Sequence, residues 1–160
     1  MTIDNIINHL KDNLAQTDIR LFAAAGNNLI SSFEQGLSLK LPDDVKQFYK
    51  FANGFASAED QFRIIPLEEI IDQTRRHLPN VISIAEYMVY CDVWHIEVNA
   101  ANYNDYHIFN IGRHSETVVL SHSFAEFLHR FLQGGVFETG GLYDWYDEVR
   151  ENIDTEPKGL

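Results

Sequence analysis

The stretch that decides the fold is Trp94-His95-Ile96-Glu97-Val98, in which apolar and polar side chains alternate, and Tyr106-His107-Ile108 repeats the alternation. Because successive side chains of a strand point to opposite faces of a sheet, this period of two is typical of strands with one buried face. β-Branched and aromatic residues are abundant throughout residues 81–120, as strands favour. The segment therefore predicts three or four antiparallel strands, with turns near residues 99–104 and 112–115.

Helices are predicted on both sides of the strand region, because apolar residues there recur at the helical period. The hydroxyls of Thr2 and of either Ser121 or Ser123 stand where they can cap a helix, and Pro42 suits a first helical position. The helix that Pro42 opens should end at Asn53-Gly54, where positive φ angles are tolerated. The predicted helices begin near Thr2, Asn27, Pro42, Leu67, Ser123 and residue 141, and end near residues 14, 36, 52, 78, 134 and 151.

Length and composition place these elements in one domain. The chain has 160 residues, 45% of them hydrophobic and 12% aromatic, which is enough to form a core without disulfides. No repeat or linker divides it, so we expect a single α+β domain over residues 1–160. An antiparallel sheet of about four to six strands should have helices packed around it. We expect the core to span about residues 3–151 and the tail, residues 152–160, to fray.

The charge balance narrows the choice of partners. Lys and Arg number 12 against 24 Asp and Glu, a formal net charge of −12, which disfavours nucleic acid and anionic membranes and favours a basic protein. The single cysteine, Cys91, permits no internal disulfide, and we expect it to be a buried, inert thiol. With no basic-then-apolar leader and no membrane-spanning apolar run, the sequence predicts a cytoplasmic protein. The oligomeric state stays open.

An acidic and aromatic stretch in the strand region is the strongest indication of function. No Lys or Arg lies between Arg76 and Arg113, whereas four acids and several Tyr and Trp residues do. Aromatic rings offer contact area at low entropic cost, and an acidic field speeds encounter with a basic protein. Some of these rings must belong to the core, since about half of any strand faces inward. The residues that we expect to bind the partner are Asp92, Trp94, Tyr103, Asp105 and Tyr106.

Polar groups elsewhere offer catalytic or metal-binding alternatives. One set, on a shared helical face, consists of His122, Glu126 and His129. Because it lacks the His-Glu-x-x-His spacing of zinc sites, we interpret it as solvated surface. A second set consists of His95, Glu97, Asp105 and His107. We interpret it as the solvent-exposed face of a sheet. A third set, the acidic side of the last helix, consists of Asp144, Asp147, Glu148 and Glu151. We interpret it as solvated surface rather than a docking face. A Cys91–His95 nucleophile pair is disfavoured, because four extended residues span about 13 Å. We expect no metal, no cofactor and no catalytic residue.

Several short motifs, in their order along the chain, resemble the SUKH superfamily, named for fungal cell-wall-assembly regulators and similar bacterial proteins. A glutamate precedes a Leu-Pro helix start and an Asn-Gly helix stop, and a strand-to-helix block, a late helix and a closing segment follow. The matching residues are Glu34, Leu37, Leu41-Pro42, Phe48-Tyr49, Asn53-Gly54, 62–70, 123–128 and 142–145. One departure concerns the middle of the chain, where many relatives have a Gly- and Asp-rich turn and this sequence has Tyr90-Cys91-Asp92-Val93-Trp94.

The resemblance implies a compact α+β domain that in bacteria often acts as an immunity protein. Such a protein binds a toxin domain, frequently a nuclease, and neutralises it without catalysis. We therefore expect a non-enzymatic protein-binding domain whose partner is a basic toxin. The alternatives are a regulatory scaffold that binds a host protein and a small hydrolase or metal enzyme that uses the histidines and acids.

Overall fold

Seven antiparallel strands form one sheet within residues 1–73, 78–112 and 116–155, the part of the chain that the structure, a computed structural model, describes. Each strand is hydrogen-bonded to the next one along the chain. The strands are β1 (Ile19–Leu21), β2 (Phe55–Ser57), β3 (Phe62–Ile64), β4 (Val81–Tyr87), β5 (Asp92–Asn99), β6 (Asn102–Ile111) and β7 (Thr117–Ser121). The helices are α1 (Ile3–Asn13), α2 (Asn27–Leu37), α3 (Asp43–Phe51), α4 (Leu67–Gln73), α5 (Phe124–Gly134) and α6 (Leu142–Thr155), with a 3-10 turn at Leu14–Gln16.

The α+β class is confirmed, and the sheet is slightly larger than the sequence predicts. Strands β1 and β2 were not predicted, because three residues each are too short to show alternation. Strand β1 lies at the edge of the sheet and pairs only with β2 among the described strands. For residues 81–120 three or four strands were predicted, and the structure has four, β4–β7.

The predicted helix cap at Thr2 is confirmed, and of the two candidates for α5, Ser121 and Ser123, the cap is Ser123. The Thr2 hydroxyl accepts a hydrogen bond from the Asn5 backbone N–H at 3.3 Å, and the Asn5 side chain accepts one from the Thr2 N–H at 2.9 Å. The Ser123 hydroxyl accepts from the Glu126 N–H at 3.2 Å. Helix α6 runs to Thr155, so residues 152–155, which we expected to fray, are helical.

Other helix boundaries shift by one or a few residues. Pro42 is the N-cap of α3 rather than its first helical residue, and Gly26, not Asn27, caps α2. The predicted end of α4 near residue 78 falls partly on residues 74–77, outside the described residues. Gly54 has a positive φ of 91°, and a Cβ there would lie 2.3 Å from the Ile64 carbonyl oxygen. Only glycine fits this position, but it lies directly before β2, and α3 itself ends at Phe51 with Ala52 as an extended C-cap rather than at a left-handed glycine.

The core lies between one face of the sheet and helices that include α3 and α5. The Phe62 ring stacks on Phe131 with centroids 4.2 Å apart and meets Trp94 edge-on at 5.7 Å. Even-numbered side chains of β5 enter this core, whereas Val93 and His95 lie on the opposite face. No helix in the described ranges is long and apolar enough to cross a membrane.

Candidate partner-binding surface

Two of the five residues expected to bind a partner lie in the core. Trp94 is 1% exposed and Tyr106 is 5% exposed. The Tyr106 hydroxyl donates to Asp44 and accepts from the Phe124 N–H at 2.7 Å. Burial, together with the Asp44 carboxylate, raises the pKa of this hydroxyl. We therefore correct the expectation for both rings, since they belong to the inward-facing set of β5 and β6 and are closed to a partner.

The other three residues lie at opposite ends of the β5–β6 hairpin. Asp92 begins β5, whereas Tyr103 and Asp105 follow the turn that joins β5 to β6. Seven residue steps along β5 correspond to about 23 Å. The structure therefore does not bring these three residues together into one site.

The end of the hairpin at Tyr103 and Asp105 is fastened to the start of α3, and we call it the clasped end (residues 99–106). The Asn104 amide oxygen accepts from the Asp43 N–H at 2.8 Å, and its nitrogen donates to the Asp43 carboxylate at 3.0 Å. The Lys40 ammonium lies 5.6 Å from the centroid of Tyr103. The Asp105 carboxylate accepts from the Asn99 amide at 2.9 Å. Polar and aromatic groups at this end contact one another or the start of α3.

At the other end, Asp92 joins two strands and a helix. One carboxylate oxygen accepts from the Val93 N–H at 2.8 Å and from the Asn110 amide at 2.9 Å. The second oxygen accepts from the Tyr143 hydroxyl at 2.8 Å. Asp92 thus fixes the first turn of α6 against the ends of β5 and β6.

An open groove of about 320 Å³ lies beside Asp92. Its lining consists of Asp92, Asn110, Gly112, Phe137, Tyr143, Tyr146 and Asp147. A Cβ on Gly112 would lie 2.2 Å from the Tyr146 hydroxyl, so glycine allows this ring to close the floor of the groove. Burial raises the pKa of the Tyr146 hydroxyl. The groove is therefore built from aromatic rings and carboxylates.

Phe137 stands between this groove and a second one. The Phe137 side chain is 55% exposed, and its ring packs edge-on against Tyr87 at 5.1 Å and Tyr143 at 5.4 Å. The second groove, of about 380 Å³, shares Phe137 and carries Asp18, Glu59, Asp60 and Glu138. None of the described residues that line either groove is Lys or Arg. We call Phe137 and the two grooves the acidic–aromatic ridge.

The turn between β4 and β5 adjoins the ridge, because Tyr87 ends β4 and contacts Phe137. Three successive residues of this turn, Met88, Val89 and Tyr90, have left-handed φ angles of 47°, 53° and 62°. Such angles cost about 1–3 kcal/mol for each non-glycine residue and are rare for a β-branched one. Val89 is 86% exposed and Met88 is 42% exposed. We call residues 88–90 the left-handed turn.

Cys91 follows this turn and is exposed. The expectation of a buried thiol is therefore wrong. Unpaired cysteines often pack in cores, but Cys91 lies between the left-handed turn and β5 rather than on the inward face of a strand.

A charged network supports the left-handed turn from the protein side, and we call it the brace (Arg63, Glu69, Glu86 and Tyr90). Glu86 is only 2% exposed, and its carboxylate accepts from the Tyr90 N–H at 2.8 Å and from Arg63 Nε at 2.6 Å. The two terminal guanidinium nitrogens of Arg63 donate to the two carboxylate oxygens of Glu69 at 2.7 and 2.9 Å. The Tyr90 hydroxyl also donates to Glu69, at 2.5 Å. The hydrogen bonds from Arg63 lower the pKa of Glu69, and burial raises that of Tyr90. The network holds a strained turn in one conformation.

The histidine-containing sets form pairs in the structure. On the sheet face opposite the core, His107 lies 3.2 Å from Glu97, and His95 stacks on Phe109 with centroids 5.1 Å apart. On α5, Glu126 accepts from the Ser121 hydroxyl. Within the described ranges, no group of three or more His, Cys, Asp or Glu residues is placed to hold a metal ion.

A comparison with protein families finds a match over residues 24–130 to the model described as SMI1 / KNR4 family (SUKH-1). The chain belongs to this family. The matched SUKH-1 residues include β4, β5 and the left-handed turn, but they end before Phe137, Tyr143 and Asp147. Part of the acidic–aromatic ridge of this SUKH-1 chain thus lies outside the family match. A search of curated proteins found no match to the chain.

Sequence reasoning found Asp92 but missed Phe137 and Asp147. Phe137 lies in a loop after α5, and Asp147 was interpreted as part of a solvated helix face. Their place beside Asp92 comes from the packing of α6 against the sheet, which no local pattern encodes. The burial of Trp94 could have been predicted, since it alternates in the strand with Ile96 and Val98. These two residues are aliphatic and lie on the inward face.

Proposed function

We propose that this SUKH-1 chain is a non-enzymatic immunity protein that binds a basic toxin domain, of the nuclease class, at the acidic–aromatic ridge. The observation that carries the proposal is a half-exposed phenylalanine between two grooves whose described lining holds six carboxylates and no Lys or Arg. Membership of the SUKH-1 family is compatible with this role.

Phe137 supplies the anchor in this proposal. Aromatic side chains dominate the binding energy of protein interfaces when a partner covers them completely. The Phe137 ring is held by Tyr87 and Tyr143, so little side-chain entropy is lost when it is covered. A partner with an apolar pocket would remove its exposed half from water.

The carboxylates supply attraction and orientation. The net charge of −12 draws a basic protein to the chain, and the grooves concentrate that charge on both sides of Phe137. Lys and Arg side chains around a nucleic-acid-binding site are natural counterparts of such a surface. Covering that site would neutralise the toxin without any chemical step. We place the encounter in the cytoplasm, where an unpaired, exposed thiol such as Cys91 remains reduced.

The proposal predicts that a toxin domain is encoded beside the gene for this chain, and that domain is the binding partner in the test. The affinity of the purified chain for that domain is measured by calorimetry, and protection from the toxin is measured as growth of a bacterial host. We expect Phe137→Ala to weaken binding at least tenfold and to reduce protection, because the anchor is lost.

The matched control is Ile153→Ala. Ile153 lies on α6 and is 58% exposed, close to the exposure of Phe137, but it lies outside both grooves. This variant should bind like the original chain. Equal affinities for Phe137→Ala and the original chain would contradict the proposed surface. A complex with a non-toxic host protein and none with the toxin would contradict the immunity role and favour a regulatory scaffold.

A further inference from the structure

The left-handed turn combines two features that rarely occur together on a protein surface. Its backbone is strained at three successive non-glycine residues, and its tip exposes the apolar side chains of Met88 and Val89. A turn with no role beyond joining two strands is built at lower cost from Gly, Asn or Asp. Strain that a surrounding network maintains is characteristic of binding and switch regions.

We propose that the left-handed turn is a rigid apolar knob that enters a pocket on the same basic partner. This inference rests on the proposed function and extends it, by naming a second contact of the same interface. Met88 and Val89 are the contacting residues, and Arg63, Glu69, Glu86 and Tyr90 are positioning residues that hold the turn in its bound shape.

Continuity with the acidic–aromatic ridge argues for a shared partner. Tyr87 immediately precedes the turn and packs against Phe137, the proposed anchor, with centroids 5.1 Å apart. Asp92, which lines the first groove, follows the turn after Cys91. A partner that covers Phe137 therefore lies close to the residues that flank the turn, while Met88 and Val89 themselves line a separate groove.

The described charges beside the turn nearly cancel. Arg63 is a member of the brace, and its guanidinium is bound by the carboxylates of Glu69 and Glu86. The Arg63 group also lies 5.9 Å from the Tyr90 ring centroid. The groove that Met88 and Val89 line also holds Arg20 and Arg63 against Asp18 and Glu86, so the choice of a basic partner rests on the continuity of the turn with the ridge.

Rigidity is the physical reason for the brace. A flexible loop loses conformational freedom when it binds, whereas a turn already fixed in its bound shape does not. The Met88 N–H donates to the Gln61 carbonyl at 2.8 Å, and the Cys91 N–H donates to the Tyr87 carbonyl at 3.0 Å. Together with the bond from Tyr90 to Glu86, these contacts fix the turn at its start, middle and end.

The test measures stability and affinity in the same variants. Val89→Gly removes the apolar side chain and relieves the left-handed strain, so we expect an unchanged or higher melting temperature and at least fivefold weaker binding to the toxin domain. Val89→Asn keeps a residue that tolerates left-handed angles and should weaken binding similarly. This second variant separates loss of the apolar contact from added flexibility.

Ser38→Gly is the matched control. Ser38 is exposed and has a left-handed φ of 48°, so glycine there also relieves strain, but it lies at the end of α2 outside the ridge. It should raise stability and leave affinity unchanged. Unchanged affinity in both Val89 variants would overturn the knob, while a loss with Phe137→Ala would still support the ridge. Loss of affinity with the Val89 variants alone would support the knob and remove Phe137 from the interface.

Discussion

The two ends of the β5–β6 hairpin have similar composition but different construction. Both ends combine acids with aromatic rings. At the clasped end, Asn104 and Tyr106 bond to the first residues of α3, and Tyr106 is buried. At the other end, Phe137 is exposed beside carboxylates, and Val89 is exposed in the turn that adjoins it. The comparison shows that hydrogen-bond partners and exposure, rather than residue type, distinguish an internal clasp from a candidate interface.

Asp92 shows why this distinction concerns whole surfaces rather than single residues. Its two oxygens accept hydrogen bonds from Val93, Asn110 and Tyr143, so it is a structural residue as well as part of a groove. It holds Tyr143, against which the Phe137 ring packs. In the proposed interface, Asp92 shapes the surface, and the more exposed groups make the contacts.

The largest effect on stability is expected at the clasped end, from Tyr106→Phe. The change removes the acceptor of the buried Phe124 N–H and the donor to Asp44. Leaving a buried donor without a partner should lower the free energy of unfolding by about 2–3 kcal/mol, measured by urea denaturation. Affinity for the toxin domain at a temperature where the variant is folded should be unchanged. A marked loss of affinity would show that the clasped end belongs to the interface.

A smaller effect is expected from pH at the brace of the left-handed turn. Arg63 holds the pKa of Glu69 below its ordinary value of 4.5. The stabilisation from Glu69 is therefore complete above its unfolded-state pKa and is lost as pH falls through the lower folded-state value. Melting temperatures between about pH 3 and pH 7 should fall less steeply on the acid side for Glu69→Gln than for the original chain. Identical profiles would show that the ion pair adds nothing to folding.

Local patterns in the sequence predicted most of the fold. Thr2, and Ser123 as one of two candidates, were identified as caps because a hydroxyl before an apolar helical stripe can accept from the free N–H groups of the first turn. Strands β1 and β2 were missed, since three residues carry no period. Helix α6 extends past its predicted end to Thr155 because no Gly or Pro interrupts it before that residue.

The candidate site was less accessible to sequence reasoning. Its strand residue, Asp92, lies in the acidic and aromatic stretch, but Phe137 and Asp147 reach the same surface only through tertiary packing. Nothing in Met88-Val89-Tyr90 predicts left-handed angles, because none of these residues favours them. The network of Arg63, Glu69 and Glu86 imposes that conformation from outside the turn.

The most direct test compares the association rates of two charge reversals, one at each end of the hairpin. Asp147 lines the groove beside Phe137, whereas Asp105 lies at the clasped end, and both are exposed. Stopped-flow association with the toxin domain is followed from about 0.02 to about 0.5 M salt for Asp147→Lys, Asp105→Lys and the original chain. We predict that Asp147→Lys slows association several-fold at low salt and flattens its salt dependence, and that Asp105→Lys behaves like the original chain. Equal slowing by both variants, or by neither, would contradict the assignment of the basic partner to the acidic–aromatic ridge.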